Sequence, residues 1–497
     1  MHDYSIHKTL LLLCILTLCI TGNLNAGELH IGTSSAIISP KLPVALYGQF
    51  ELRIAQTAET PLTANVVALE STDEGRQIDI AIMVSCDLIG IPYELITEVR
   101  EAVHQRLPSL DVNKIILNAT HTHTSLVLSN NVDNWGYVIP REGVTQVDSC
   151  RAYVVRQITD AIAGAWQNRR PGSVTWGLSD AVVGYNRRVV YSDGTAKMYG
   201  KTNDPSFRNM ESYEDHDINS LFFWDDEKKL IAIIINVACP AQEVEGRNTV
   251  NADYWHPVRE KLKQRFGSDL CVLGWIGAAG DQSPRPMYRK AAEERMIQLR
   301  HLNRLEEIAR RIVRAVEETY EAVKGDQHED VPLIHKVETI GLPVQKITGE
   351  ECAEARAISQ EASRQMAADP KAADQVFSKM KWYGDVVSRF EKQEAGLNGT
   401  HEMELHVLRI GDAAVCANEF ELFTDYGIRI KARSKAIQTF VVQLAGPDTY
   451  YLPTERAVQG GSYSAIVESN LVGPEGGQIL VDKTVELING LWSENDK

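Results

Sequence analysis

The 497-residue sequence has no Cys-x-x-Cys pair, no excess of basic charge and no apolar run long enough to span a membrane, and each absence removes a class of protein. Without Cys-x-x-Cys there is no zinc ribbon and no thioredoxin-type redox site. With 67 acidic against 51 basic residues and a net charge of −16, the chain has the wrong sign to neutralise phosphates, so no nucleic-acid partner is expected. The same charge restricts membrane contact to a local, peripheral patch. The apolar run Thr9 to Ile20 is shorter than the roughly 20 residues a spanning helix needs. It follows Lys8 and precedes Leu24-Asn25-Ala26, so 1–26 reads as a cleavable signal peptide of a secreted or periplasmic protein starting at Gly27. Only 34 glycines and 18 prolines occur beside 44% apolar residues, which excludes collagenous and low-complexity chains. The length suits about three domains, or one large enzyme with insertions.

What is present follows an α/β pattern. HIGTSSAIISP and TANVVALES read as early strands, and Ile78 to Val84 as a third. Leu95, Ile96, Val99, Val103 and Leu107 then keep helical spacing, and Lys114 to Ala119 is again a strand. This βαβ unit runs directly into Thr120-His121-Thr122-His123-Thr124, at a strand's carboxyl end, where open α/β sheets assemble their sites. Further strands are expected at Ser220 to Trp224, Leu230 to Asn236 and Cys271 to Ile276. Met287 to Val323 predicts one long amphipathic helix, and Gly325 to Val331 is the best internal boundary by composition. Residues 350–395 predict a helical insertion broken at Pro370, Leu405 to Asn418 a hairpin around Gly411-Asp412, and Leu422 to Ser434 a helix. The six cysteines after the leader are widely spaced and mostly sit in apolar runs, as buried free thiols do.

Two imidazoles two residues apart at a strand end can grip one metal or divide ligand and proton-transfer work. Gly277-Ala-Ala-Gly280-Asp281-Gln-Ser283-Pro284 is a loop of small residues that lets backbone approach a ligand, with Asp281 and Ser283 as polar groups. Asn418-Glu419-Phe420-Glu421 closes a strand, and Tyr450-Tyr451-Leu-Pro-Thr-Glu455 with Gly460-Gly461-Ser462-Tyr463 follows near the C-terminus. Singly, each is commoner as a tight turn, a surface carboxylate or a packed aromatic.

Their shared order resembles the neutral, non-lysosomal ceramidase family: Ile38-Ser39-Pro40 and Leu46-Tyr47-Gly48, then THTH, Asn186-Arg187-Arg188, GDQSP, NEF and the tyrosine loop, over roughly residues 30 to 470. The resemblance implies a mixed β-sheet core with flanking helices over 27–497, without the family's C-terminal immunoglobulin-like domain. It also implies a zinc-dependent amidase that cleaves a ceramide-like N-acyl amide to a fatty acid and an amine. By motif position, His121, Glu419 and Tyr451 would hold zinc, His123 would face the amide, Arg187 and Tyr463 would steady the oxyanion, and Ser283 would lie beside the scissile bond.

One stretch departs from the family. Where a second histidine ligand belongs, the chain reads Asn236-Val-Ala-Cys239-Pro240-Ala-Gln242. Cys239 takes that place in one reading, since thiolate is a good zinc ligand. Gln242 or His256 compensates in another, and in a third the site is weakened. The rival functions are a metallohydrolase of a different amide or ester, and a binding protein that has lost its metal.

Overall fold

The computed structural model describes residues 26–130, 136–369, 373–397, 399–447 and 450–492. The expected leader, apart from Ala26, lies outside them, as does Pro370.

β1 (Gly27–Ile37), β2 (Thr63–Asp73) and β3 (Arg76–Cys86) run antiparallel in turn. α1 (Tyr93–Arg106) then crosses over to β4 (Ile115–Ala119), parallel to β3, so the expected βαβ unit forms. α2 (Val147–Gln167) leads to β5 (Arg170–Asp180), β6 (Asp217–Asp225) and β7 (Leu230–Val237). α3 (Trp255–Phe266) connects β7 to the parallel β8 (Cys271–Ile276). The sheet order is β8-β7-β6-β5-β1-β2-β3-β4. After α4 (Arg304–Val323) comes a second, four-stranded sheet. It consists of β9 (Leu333–Pro343), β10 (Thr400–Ile410), β11 (Ala413–Ala417) and β12 (Gln438–Val442), with β11 and β12 parallel.

Strand alternation builds four layers. In β2, Val66 and Ala68 pack under α1 and α2 with Leu95, Val99 and Ile158, whereas Val67 and Leu69 face the second sheet. In β10, Leu408 and Ile410 meet that inner core. Leu405 and Val407 turn outward to α7 (Thr424–Arg433) and α8 (Pro474–Asn489) through Ile430, Leu480 and Ile488. α3 and α4 cover the rest of the large sheet, Val258 and Ile312 packing on Phe222 and Ile233. The two sheets therefore lie face to face between helical layers, with a dry core between them.

Two expectations change. The pattern from Met287 to Val323 is not one helix: Lys290–Leu299 ends, and Asn303 restarts the chain with a capping box to Glu306. The composition boundary at Gly325 to Val331 is no free linker, since Gly27 pairs with Val331 at the edge of β1. The helical insertion is α5 (Gly349–Ala368) and α6 (Ala373–Glu394), packed around Cys352, Ala355 and Val386. Arg389 of α6 donates to Val467 O at 2.6 Å and Asn470 O at 3.0 Å, and Tyr450 donates to Asp385 at 3.0 Å, fastening the insertion to the C-terminal loop. Among the described residues no helix is long and apolar enough to cross a membrane, and Cys86, Cys150, Cys239, Cys271, Cys352 and Cys416 are buried and unpaired.

Candidate active site

The carboxyl ends of β4, β7, β8, β11 and β12 converge. Ala119 N donates to Leu444 O, Gly277 N to Val237 O, Gln443 N to Ile276 O and Asn418 N to Val442 O, which stitches the ends of five strands into one floor. A cavity of about 400 Å³ opens over that floor, and His121, His123, Arg187, Tyr451 and Tyr463 all line it. These residues come from distant parts of the chain, and the topology brings them together.

His121 sits at φ 62°, a left-handed backbone that non-glycine residues rarely adopt and that marks functional sites. The bend keeps both rings of His-Thr-His on the cavity side, 4.8 Å apart and nearly perpendicular. His121 Nδ1 lies 2.6 Å from Ile89 O and His123 Nδ1 lies 2.7 Å from Gly48 O. A carbonyl only accepts, so both Nδ1 atoms carry a proton and the two Nε2 atoms are turned to the cavity. Those two Nε2 atoms stand 3.3 Å apart, and Glu421 Oε2 is 3.3 Å from that of His121. His121 Nε2 thus stands between a second imidazole and a carboxylate. A proton or a metal ion on that nitrogen is what the carboxylate would accommodate.

Gly48 is needed where it is. At φ 111°, an added Cβ would fall 2.7 Å from the His123 ring. Behind it, the buried Arg53 guanidinium donates to the carbonyls of Tyr47, His123, Glu245 and Arg247, at 2.6 to 3.0 Å, and fixes the wall around His123. Burial, and next the neighbouring His121, hold His123 neutral, well below its ordinary range.

Gln242 occupies the place opposite. Its amide nitrogen donates to His123 Nε2 at 2.6 Å while its oxygen accepts from Arg187 at 3.1 Å. The reverse amide orientation would set two donors against each other at Arg187, so the network fixes this one. Arg187 also donates to Gly280 O at 2.9 Å and Tyr451 Oη at 3.3 Å. Burial works against its charge, but Tyr451, Tyr199 and Glu421 outweigh it and its pKa rises. The Tyr451 phenol is hydrogen-bonded to Glu421, and burial followed by Glu421 pushes its pKa well up. Tyr463 packs edge-on to Tyr451 at 5.6 Å and is raised for the same reasons.

Five residues singled out from the sequence stand elsewhere. Cys239 is fully buried in the core beside Val258 and Ile235, because the chain turns at Pro240 before reaching the cavity. Glu419 points to the other side of its loop and pairs with His401 in a separate cavity of about 630 Å³. Glu421 takes the place at the site. Asn418 Oδ1 accepts from Phe420 N and bends the chain, so the i, i+2 alternation of a strand fails between the two carboxylates. Gly280 packs against Glu421, where a Cβ would lie 2.4 Å from its carbonyl oxygen. Ser283 is buried behind the wall, accepting from Tyr199 Oη at 3.1 Å and the Arg285 amide at 3.2 Å. Asp281 is committed to Asn186 and Thr424. His256, half-buried at the start of α3, lines no part of the cavity. Glu245, 3.7 Å from His123 and paired with Arg285 at 2.7 Å, was not singled out from the sequence, and nothing in its local pattern marks it.

No family model and no curated protein sequence matches the chain. Solved structures do. Neutral ceramidase from Pseudomonas aeruginosa superposes with a TM-score of 0.65 at 16% identity, over 95% of this chain and 76% of that one. A ceramidase complexed with C2 gives 0.65 at 14%, over 94% and 75%. The chain has the neutral ceramidase fold. Within this ceramidase fold the cavity lies at the strand ends where the sequence motifs converge.

Among the described residues no group of three or more His, Cys, Asp or Glu side chains is arranged to hold a metal ion. Of the groups lining the cavity, His121 Nε2, the Glu421 carboxylate and the Tyr451 phenol could hold one, three protein ligands being what catalytic zinc sites use. His123 is excluded from it by the Gln242 amide on its lone pair.

Proposed function

We propose that the chain is a hydrolase of N-acyl amides, of the ceramidase type, and that it works with zinc. The observation that carries this reading is that His121 Nε2 stands 3.3 Å from both His123 Nε2 and Glu421 Oε2, in a cavity that Arg187 and the Tyr451 and Tyr463 phenols also line. His121, Glu421 and Tyr451 would hold the ion, which when bound supplies Lewis acidity to a carbonyl and acidifies water. His123, neutral and fixed through Gly48 O, offers a lone pair at Nε2 that would take a proton from attacking water and return it to the leaving amine. Gln242 must yield that lone pair as substrate enters. Arg187 and Tyr463 donate toward the oxygen on which negative charge grows, the term that usually weighs most in acyl transfer. A neutral histidine and a charged arginine in one cavity satisfy both halves of the reaction.

A second reading, a binding protein without turnover, is favoured by Gln242 standing where a histidine ligand would be expected. The export proposed for the chain rests on Lys8 to Ala26. Elemental analysis of the purified protein, alongside amine release from N-acyl amides, separates the two readings. About one zinc per chain with turnover supports the hydrolase. No zinc after reconstitution and no turnover supports the binding protein.

A further inference from the structure

Resting on the hydrolase reading, the shape of the cavity narrows the substrate. Its 400 Å³ lies toward the low end of the roughly 300–1,000 Å³ of pockets that take one small molecule, whereas a lipid with two long chains carries roughly thirty carbons or more. Three rings narrow the entrance. Phe50 and Trp382 lie 5.3 Å apart, Trp382 and Tyr463 5.8 Å, and Phe50 and Tyr463 6.1 Å, closing a triangle of edge-on and tilted contacts. Trp382 comes from α6, whose attachment through Arg389, through Asp385 to Tyr450 and through Ser378 to Gly136 O at 2.6 Å holds it in place. The lining also carries the polar Gln49, Glu245, Ser462 and Glu468. An alkyl chain laid against those carboxylates would desolvate them, and gains little from each added methylene.

We propose that the chain acts on a compact N-acyl amide with a short acyl part, and that Trp382 is the residue that sets the length limit. The test is a calorimetric series with N-acetyl, N-butanoyl and N-octanoyl ethanolamine on the full chain as purified and with zinc added. It gives affinity, or kcat/KM where the amide is turned over, while released ethanolamine is followed in parallel. In the wild type the octanoyl amide is bound or processed no more than about threefold better than the acetyl amide, although six more methylenes in a fitting apolar groove would give far more. Trp382→Ala raises the octanoyl-to-acetyl ratio at least about tenfold, and Phe50→Ala, from the opposite side of the mouth, moves it the same way. A wild-type preference for octanoyl above about tenfold overturns the length limit and leaves the hydrolase reading standing. So does an unchanged ratio in both variants, once circular dichroism shows them folded. Length-limited binding without ethanolamine release sinks the hydrolase reading alone. Failure to bind any of the three overturns both.

Discussion

Among the described residues two histidine pairs stand ring to ring, and His121–His123 is the one that lines the cavity described above. His121 and His123 leave a strand end with both Nδ1 atoms committed to backbone carbonyls at 2.6 and 2.7 Å, so their Nε2 atoms face each other and the cavity. His335 and His406 lie mid-strand on β9 and β10, with His335 Nε2 3.1 Å from His406 Nδ1. The outer atoms of this second pair reach only Ile80 O at 3.3 Å and Glu404 at 3.6 Å. In one pair the ring contacts are turned to the protein and the lone pairs to the cavity. In the other the rings spend their nitrogens on each other. Proximity of two imidazoles is therefore no signature of chemistry. What distinguishes the site is which nitrogen the backbone has already claimed.

Breaking each pair should give opposite phenotypes. His121→Ala is expected to abolish bound zinc and cut amide hydrolysis by about 10³-fold or more while leaving the fold intact. His406→Ala is expected to retain zinc and activity within about threefold but to cost about 1–3 kcal/mol of stability in urea unfolding. Full zinc occupancy in the His121 variant would remove it from the proposed ligand set.

Two carboxylates two residues apart, Glu421 beside His121 and Glu419 beside His401, sharpen the contrast further. Glu421→Gln should weaken zinc binding by about 100-fold, and Glu419→Gln by less than about threefold, as read by competition with a chromogenic chelator. Equal effects would mean that the bend at Asn418 does not separate them.

A pH series probes the core pair. Burial first, then His406, hold His335 neutral well below its ordinary range, and burial does the same to His406 against the pull of Glu404. Both take up protons on unfolding. Their contribution is therefore complete above the unfolded value near 6.5 and is lost as pH falls below it, by up to about 1.4 kcal/mol per pH unit for each ring. His335→Gln should flatten the decline in stability between pH 6.5 and 5, and an unchanged slope would rule the pair out as its source. The smallest effect is expected from Cys239→Ser, which should leave zinc content unchanged because that thiol sits in the core.

Much of this was readable before the structure. Alternation and turn residues located the strands, and THTH marked the strand end at which the site assembles. His121, His123, Arg187, Tyr451 and Tyr463 were all named from motif order, and all five line the cavity. Glu421 was missed because one side-chain bond, Asn418 to Phe420, changes which residue faces inward, and no periodicity reports such a bend. Cys239 was misplaced for a related reason: the turn at Pro240 delays the inward-facing position to Gln242. The core histidine pair was invisible, since cross-strand neighbours 71 residues apart depend on register alone.

The buried cysteines carry a consequence for kinetics. Cys86 and Cys150 lie under α1 and α2, Cys271 between the sheets, Cys416 beneath α7 and α8, Cys239 under α3 and Cys352 in the helical insertion. Burial pushes the thiols of Cys150 and Cys416 up to about 11 and about 12, so little thiolate forms at neutral pH in the native state. Alkylation of the native protein must then wait for each layer to open. The chain thus carries its own set of clocks, one or two per layer, and the order in which they are struck reads out which layer breathes first.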